Sequence, residues 1–159
     1  SIGRRADGRG ALLRRYERTR ALVEGDPALA RAIVCEIERG SERGAICVLD
    51  EPREELVMVQ ARETAQGSLF FLGEALATSC RVRLGDAVGL GLVLGSDRCR
   101  AYELAVVDAA FSGADGASRA SRWDSELRAE LARIEARDER EARRIAATKV
   151  DFSTMEVEL

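Results

Sequence analysis

Apolar side chains recur at helical spacing through the start of the chain and then switch to alternation. Leu12, Leu13, Tyr16, Ala21 and Leu22 roughly follow the helical period, which predicts a first helix from Asp7 to Glu24. Asp26-Pro27 reads as an N-cap followed by proline at the first helical position, where a missing N–H leaves no bond unmade. A second helix then runs to Arg39, with Leu29, Ile33, Val34 and Ile37 as its apolar stripe and Gly40 as its stop.

The middle of the chain changes period. "GAICVLDEP" holds a short apolar run, and "ELVMVQARET" is rich in β-formers. In "SLFFLGEALATSCRVRL", Ala77, Ser79, Arg81 and Arg83 alternate with Thr78, Cys80, Val82 and Leu84. "AVGLGLVLGSD" follows after Gly85-Asp86, so a turn at Leu84–Ala87 predicts a β-hairpin. Successive strands without intervening helices imply an antiparallel sheet packed by helices, an α+β architecture.

Ser96 or Asp97 can cap the next helix, which runs to about Phe111 with Leu104, Val107, Ala110 and Phe111 as apolar positions. "SGADGASRAS" reads as a connector. A long helix is expected from about Trp123 to Thr148, with Leu127, Leu131, Ile134 and Ile145 on its buried side. Its exposed side offers Glu139–Arg143 and Arg137–Glu141 pairs, offset by like-charge neighbours. So narrow a stripe suits a helix that docks on something. The expectation is one domain, with N-terminal helices over 1–40, a sheet-and-helix core over 44–112, the long helix over 122–148 and an extended segment over 149–159.

Composition narrows the chemistry. Among 159 residues, 46% are hydrophobic and 33% charged, which fits a globular protein large enough to bury a core. The net charge is −3 with both signs interleaved, so no nucleic-acid footprint stands out. The arginines at 4, 5, 9, 14 and 15 lack interleaved aromatics and read as a solvated terminus. No apolar run is long enough to span a membrane, and "SIGRRADGRG" has no apolar stretch behind its basic residues, so a cytoplasmic protein is expected. Histidine is absent, which removes Ser-His-Asp and Cys-His catalysis and histidine-ligated metals within this chain.

Few candidates for chemistry remain. Cys35, Cys47, Cys80 and Cys99 have no metal-type spacing and read as ordinary thiols, buried or half-buried. Arg81 and Arg83 point away from Cys80 in a strand, so they do not activate it. Glu74, beside Gly73 and an apolar run, could meet a cation or a polar ligand group; the simpler reading pairs it with a nearby arginine. Gly89 and Gly91 sit inside a strand pattern, so they mark a bulge, or a place where another backbone or a ligand comes close, rather than a dinucleotide fingerprint. Gly95-Ser96-Asp97 opens a helix, but the aspartate would compete with a phosphate.

Lys149 is the only lysine among the 25 basic residues. In an extended segment, Lys149 and Asp151 share one face, and Val150 and Phe152 the other. A charged face and an apolar face suit a strand laid on a partner's sheet edge or groove. The same pattern also suits a strand returning to its own sheet.

"EELVMVQARET", "SLFFLGEALATSCRVRL", "VGLGLVLGSDRCRAYELAVVDAAF" and "AATKVDFSTM" together resemble the G subunit (PhnG) family of the bacterial carbon–phosphorus lyase system, over roughly Glu54 to Met155. Family patterns map onto Leu56–Val59, Phe70–Glu74, Ser79–Val82 and Thr148–Met155. Three positions depart from them. Phe71 stands where the family usually has Asn, Ser79 where it has Arg, and Ser153 where a second Phe is usual.

The resemblance implies a role in phosphonate use within a core complex with subunits H, I and J, the I subunit being the closest partner and self-association within the complex a further expectation. That complex supports displacement of adenine from ATP by a phosphonate, giving a ribose 1-phosphonate 5-triphosphate. The expectation is a subunit of this hetero-oligomer, with no catalytic residue and no cofactor of its own. Partner or ligand contact is expected at Phe71, Leu72, Gly73, Glu74, Thr78 and Cys80, and at Lys149, Val150, Asp151, Phe152, Thr154 and Met155. The alternatives are a stand-alone dimeric α+β scaffold or anion-binding module, and a small enzyme using Cys80 or Glu74.

Overall fold

Over its described residues the chain folds as two helices, a three-stranded meander and two further helices. The computed structural model describes residues 12–40, 46–63 and 66–148. The helices are α1 (Arg15–Glu24), α2 (Pro27–Gly40), α3 (Arg98–Ser112) and α4 (Gly116–Ala147). The strands are β1 (Ile46–Arg62), β2 (Leu69–Leu84) and β3 (Ala87–Leu94), antiparallel in the order β1-β2-β3. This is the α+β architecture expected from the sequence.

The β2–β3 turn is the two-residue Gly85-Asp86, closed by the Leu84–Ala87 pair. Gly85 takes φ 62°, a conformation glycine reaches without the Cβ penalty, and only the first turn residue is left-handed, as in a type II′ hairpin. Cys80, Val82, Leu84 and Val93 turn one face of the sheet inward, and Arg81 and Arg83 point out.

That inward face receives α3 at very short range. A Cβ added to Gly91 would lie 1.8 Å from the Ala101 carbonyl oxygen, and one on Gly89 would lie 2.0 Å from that of Ala105. Two glycines on the strand and Ala101, Ala105 and Ala109 on the helix therefore let the two backbones approach, the second of the two readings given to these glycines. Asp97 caps α3 by accepting the Arg100 N–H at 2.9 Å. The fully buried Thr78 ties this cap to the sheet: its hydroxyl donates to the Gly95 carbonyl at 2.6 Å and accepts the Asp97 N–H at 3.2 Å. The rest of the core comes from Ala30, Ile33, Val34 and Ile37 of α2 and from Leu22 of α1.

Several boundaries differ from the sequence reading. Residues 12–14 are not helical, and α1 begins at Arg15, because Arg14 takes the N-cap and its N–H goes to Glu17 at 2.9 Å. Residues 7–11 lie outside the described residues. Tyr16 is 75% exposed rather than core. β1 passes unbroken through Pro52, which an edge strand tolerates, with register shifts on either side of Asp50. Most of "SGADGASRAS" is helix, since α4 starts at Gly116, seven residues before the expected Trp123. Gly116 sits against the Phe111 carbonyl where no Cβ would fit, and Ala120 is buried, so this alanine-rich turn helps to seat α4. Leu127 and Ile134 are buried as expected, but Ile145 is exposed because α4 outruns the body it packs on.

Candidate functional site

The sheet is longer than the helical layer that covers it. β3 ends at Leu94, opposite Ala77, so beyond this point β1 and β2 continue as a two-stranded arm. The arm pairs Leu56 with Leu76, Val57 with Ala75 and Met58 with Glu74, and reaches Arg62 opposite Leu69. Alternation places Leu56, Met58 and Leu76 on the face that carries α3 further along. Among the described residues no helix lies above them and they are exposed, Met58 at 62%. Leu69, Phe70, Phe71 (59%) and Leu72 (63%) extend the apolar surface to the tip.

A bulge shapes the tip. Val59 pairs with Gly73 and Gln60 with Phe71, which leaves Leu72 as the extra residue. Gly73 holds φ 145°, a backbone state that side chains with a Cβ rarely adopt. The bulge puts Phe70 opposite Ala61 and Phe71 opposite Gln60, on opposite faces of the ribbon. Isolated two-stranded ribbons are marginal in water, and contiguous exposed apolar patches mark interaction surfaces. These features make the arm a candidate interaction surface.

The expected site residues divide accordingly. Phe71, Leu72, Gly73 and Glu74 lie together on the arm and are exposed. Glu74 faces Met58 across the strands, and among the described residues it makes no ion pair, so the expected arginine partner is not there. Thr78 and Cys80 sit at the root of the same strand under α3 and present no side-chain surface to a partner. Burial raises the Cys80 thiol pKa, and Asp50 and Glu51 add to that. Cys35 is half-buried as expected, but Cys47 and Cys99 are exposed. Lys149, Val150, Asp151, Phe152, Thr154 and Met155 lie outside the described residues. Among the described residues no cluster of His, Cys, Asp or Glu is placed to hold a metal ion, and no helix is long and apolar enough to cross a membrane.

Sequence reasoning missed two buried carboxylates. Asp108 on α3 is 8% exposed and accepts Arg15 through both oxygens, Nε at 2.8 Å and Nη2 at 2.5 Å. It also accepts the Leu90 N–H of β3 at 3.0 Å, and Arg18 approaches to 4.0 Å. The Arg18 guanidinium stacks over Phe111 at 4.9 Å, and burial lowers its pKa, an effect that Asp108 opposes. Glu130 on α4 accepts the Asp26 N–H at 2.9 Å and pairs with Arg133. An aspartate inside the apolar run "LAVVDAAF" was the visible signal for the first. Glu130 carried none, since it reads as one more charge on a charged helix.

Between α1, α3 and the free edge of β3 lies a cavity of about 540 Å³. Leu22, Leu90, Leu92, Leu104 and Val107 give it an apolar lining, and Arg15, Arg18 and Asp108 stand at one wall.

The family model described as phosphonate metabolism protein PhnG matches residues 13–157. The subunit PhnG of alpha-D-ribose 1-methylphosphonate 5-triphosphate synthase from Rhizobium meliloti (strain 1021) is 38% identical over 137 residues, covering 83% of this chain and 86% of that protein. The match takes in the arm, the buried carboxylates and both walls of the cavity. A family model spanning nearly all of the described residues, and a relative this similar over most of both chains, lead to one conclusion: the chain belongs to the PhnG family of phosphonate metabolism proteins.

Proposed function

We propose that this chain is a subunit of an assembly that forms ribose 1-methylphosphonate 5-triphosphate from ATP and methylphosphonate, and that it acts by binding other subunits rather than by chemistry of its own. The observation that carries the reading is the uncovered apolar arm, with Leu56, Met58, Phe71, Leu72 and Leu76 exposed in a chain whose 38% identical relative is a synthase subunit. The partners are subunits of the H, I and J types, with the I type on the arm. Phe71, Leu72, Gly73 and Glu74 make the contact, the aromatic and aliphatic side chains supplying buried area and the bulge setting their direction. The segment from Lys149 to Met155 adds a second contact.

Co-expression with the H, I and J subunits tests this, followed by purification through a tag on this chain. The wild type is expected to bring down the I subunit. Met58→Asp should abolish recovery while leaving the isolated chain's thermal midpoint nearly unchanged, because surface changes usually stay within about 0.5 kcal/mol. Failure of the wild type to co-purify where the other subunits assemble would sink the proposal.

A further inference from the structure

The two edges of the sheet are treated differently. β1 is protected: it carries Pro52, register shifts around Asp50, and the charges of Glu51, Arg53, Glu54 and Glu55. β3, "AVGLGLVL", has no charge, no proline and no bulge, and its Leu90, Leu92 and Leu94 are all exposed. A bare apolar edge of this kind invites another strand. Its outward-pointing backbone groups alternate along the strand. The Leu90 N–H is one, since it leaves the ladder to reach the Asp108 carboxylate. Leu92 and Leu94 follow at the same parity, and among the described residues β3 pairs with β2 alone.

The edge opens into the 540 Å³ cavity, with Leu22 of α1 and Leu104 and Val107 of α3 across from Leu92. A strand edge facing a helix across an apolar slot has the form of sites that take one extended chain by strand addition. The α1 wall excludes the edge of a second copy's sheet, which would bring a second α1 to the same place. Charge completes the description. Arg15 and Arg18 stand against the single Asp108, and the Arg15 side chain is 64% exposed, so the slot is basic. We propose that this groove receives an extended segment of a partner subunit, with apolar side chains at alternating positions and a carboxylate that meets Arg15. It is a further docking surface, separate from the arm and from the segment Lys149 to Met155.

This rests on reading the chain as one subunit of an assembly, and the test separates the two. The full chain is co-expressed with the H, I and J subunits, and amide exchange across Leu92–Leu94 is compared with that of the isolated chain. Exchange in the assembly is expected to be at least tenfold slower. Leu92→Pro removes an outward N–H but no ladder bond. It is expected to weaken assembly at least tenfold and leave the isolated chain folded, while Leu92→Val assembles as the wild type does. A photo-crosslinker in place of Leu92 should capture an extended acidic and apolar segment of another subunit. An assembly that forms with unprotected Leu92 amides overturns the groove alone. Capture of residues 149–159, or of a second copy, overturns it too. If nothing assembles, both readings fail.

Discussion

Asp108 shows how one side chain can decide a local arrangement. Its carboxylate joins α1, α3 and β3 by receiving Arg15, Arg18 and the Leu90 N–H together. Asp108→Ala would leave the Leu90 N–H without its acceptor and take the ion-pair partner from the half-buried Arg18. The expected loss is about 2–4 kcal/mol, between that of orphaning a buried donor and that of breaking a buried pair, read from the denaturant midpoint. Cys80 and Tyr102 make a pH-dependent pair of a different kind. Burial raises both pKa values, with acidic neighbours adding to it, so the folded chain holds these protons longer than the unfolded one. Their stabilisation is complete below the unfolded values and is lost as pH rises through the folded ones. Stability should therefore fall in the alkaline range above the ordinary thiol value of 9.0, and Cys80→Ala should make that fall shallower. Urea midpoints between neutral and alkaline pH check the slope.

At the scale of elements, the contact of α3 with β3 depends on what is missing from the side chains. Gly91→Ala would bring a Cβ within 1.8 Å of the Ala101 carbonyl, so the helix must move off the strand. About 1–3 kcal/mol of destabilisation is expected, the usual scale of overpacking, with a matching drop in thermal midpoint. The glycines were legible in the sequence as a close approach, because alternation placed them within a strand. The length of α4 was not legible. Its first turns read as a linker because Gly, Ser and Ala are common in loops, yet Gly116 and Ala120 are small because Phe111 and the core lie against them. Composition cannot tell a small residue chosen for freedom from one chosen for close packing.

For the whole molecule, the buried surface of α4 ends at Ile134, and all residues of its last turns are exposed. Truncation after Ala147 should therefore leave the thermal midpoint of the isolated chain within a few degrees of the full chain. Assembly with the other subunits is expected to fail, because Lys149, Val150, Asp151, Phe152, Thr154 and Met155 are removed. A truncated chain that still assembles would remove this segment from the proposed contacts.

The sequence by itself determined the succession of helices and strands, the Gly85-Asp86 hairpin, the Asp26 helix start, a cap at Ser96 or Asp97 and the inward face around Cys80. Each of these follows from a local rule: side-chain period, cap chemistry or the conformational reach of glycine. Only the tertiary structure decided which apolar residues lack a cover. Leu56, Met58 and "LFFL" read the same as core strands do, and they are exposed because β3 and α3 end before reaching them. Asp108 and Glu130 belong to the same class, since the backbone N–H groups they accept, of Leu90 and Asp26, lie 18 and 104 residues away along the chain. Burial and pairing are properties of the packed whole, and the pattern of a single segment does not contain them.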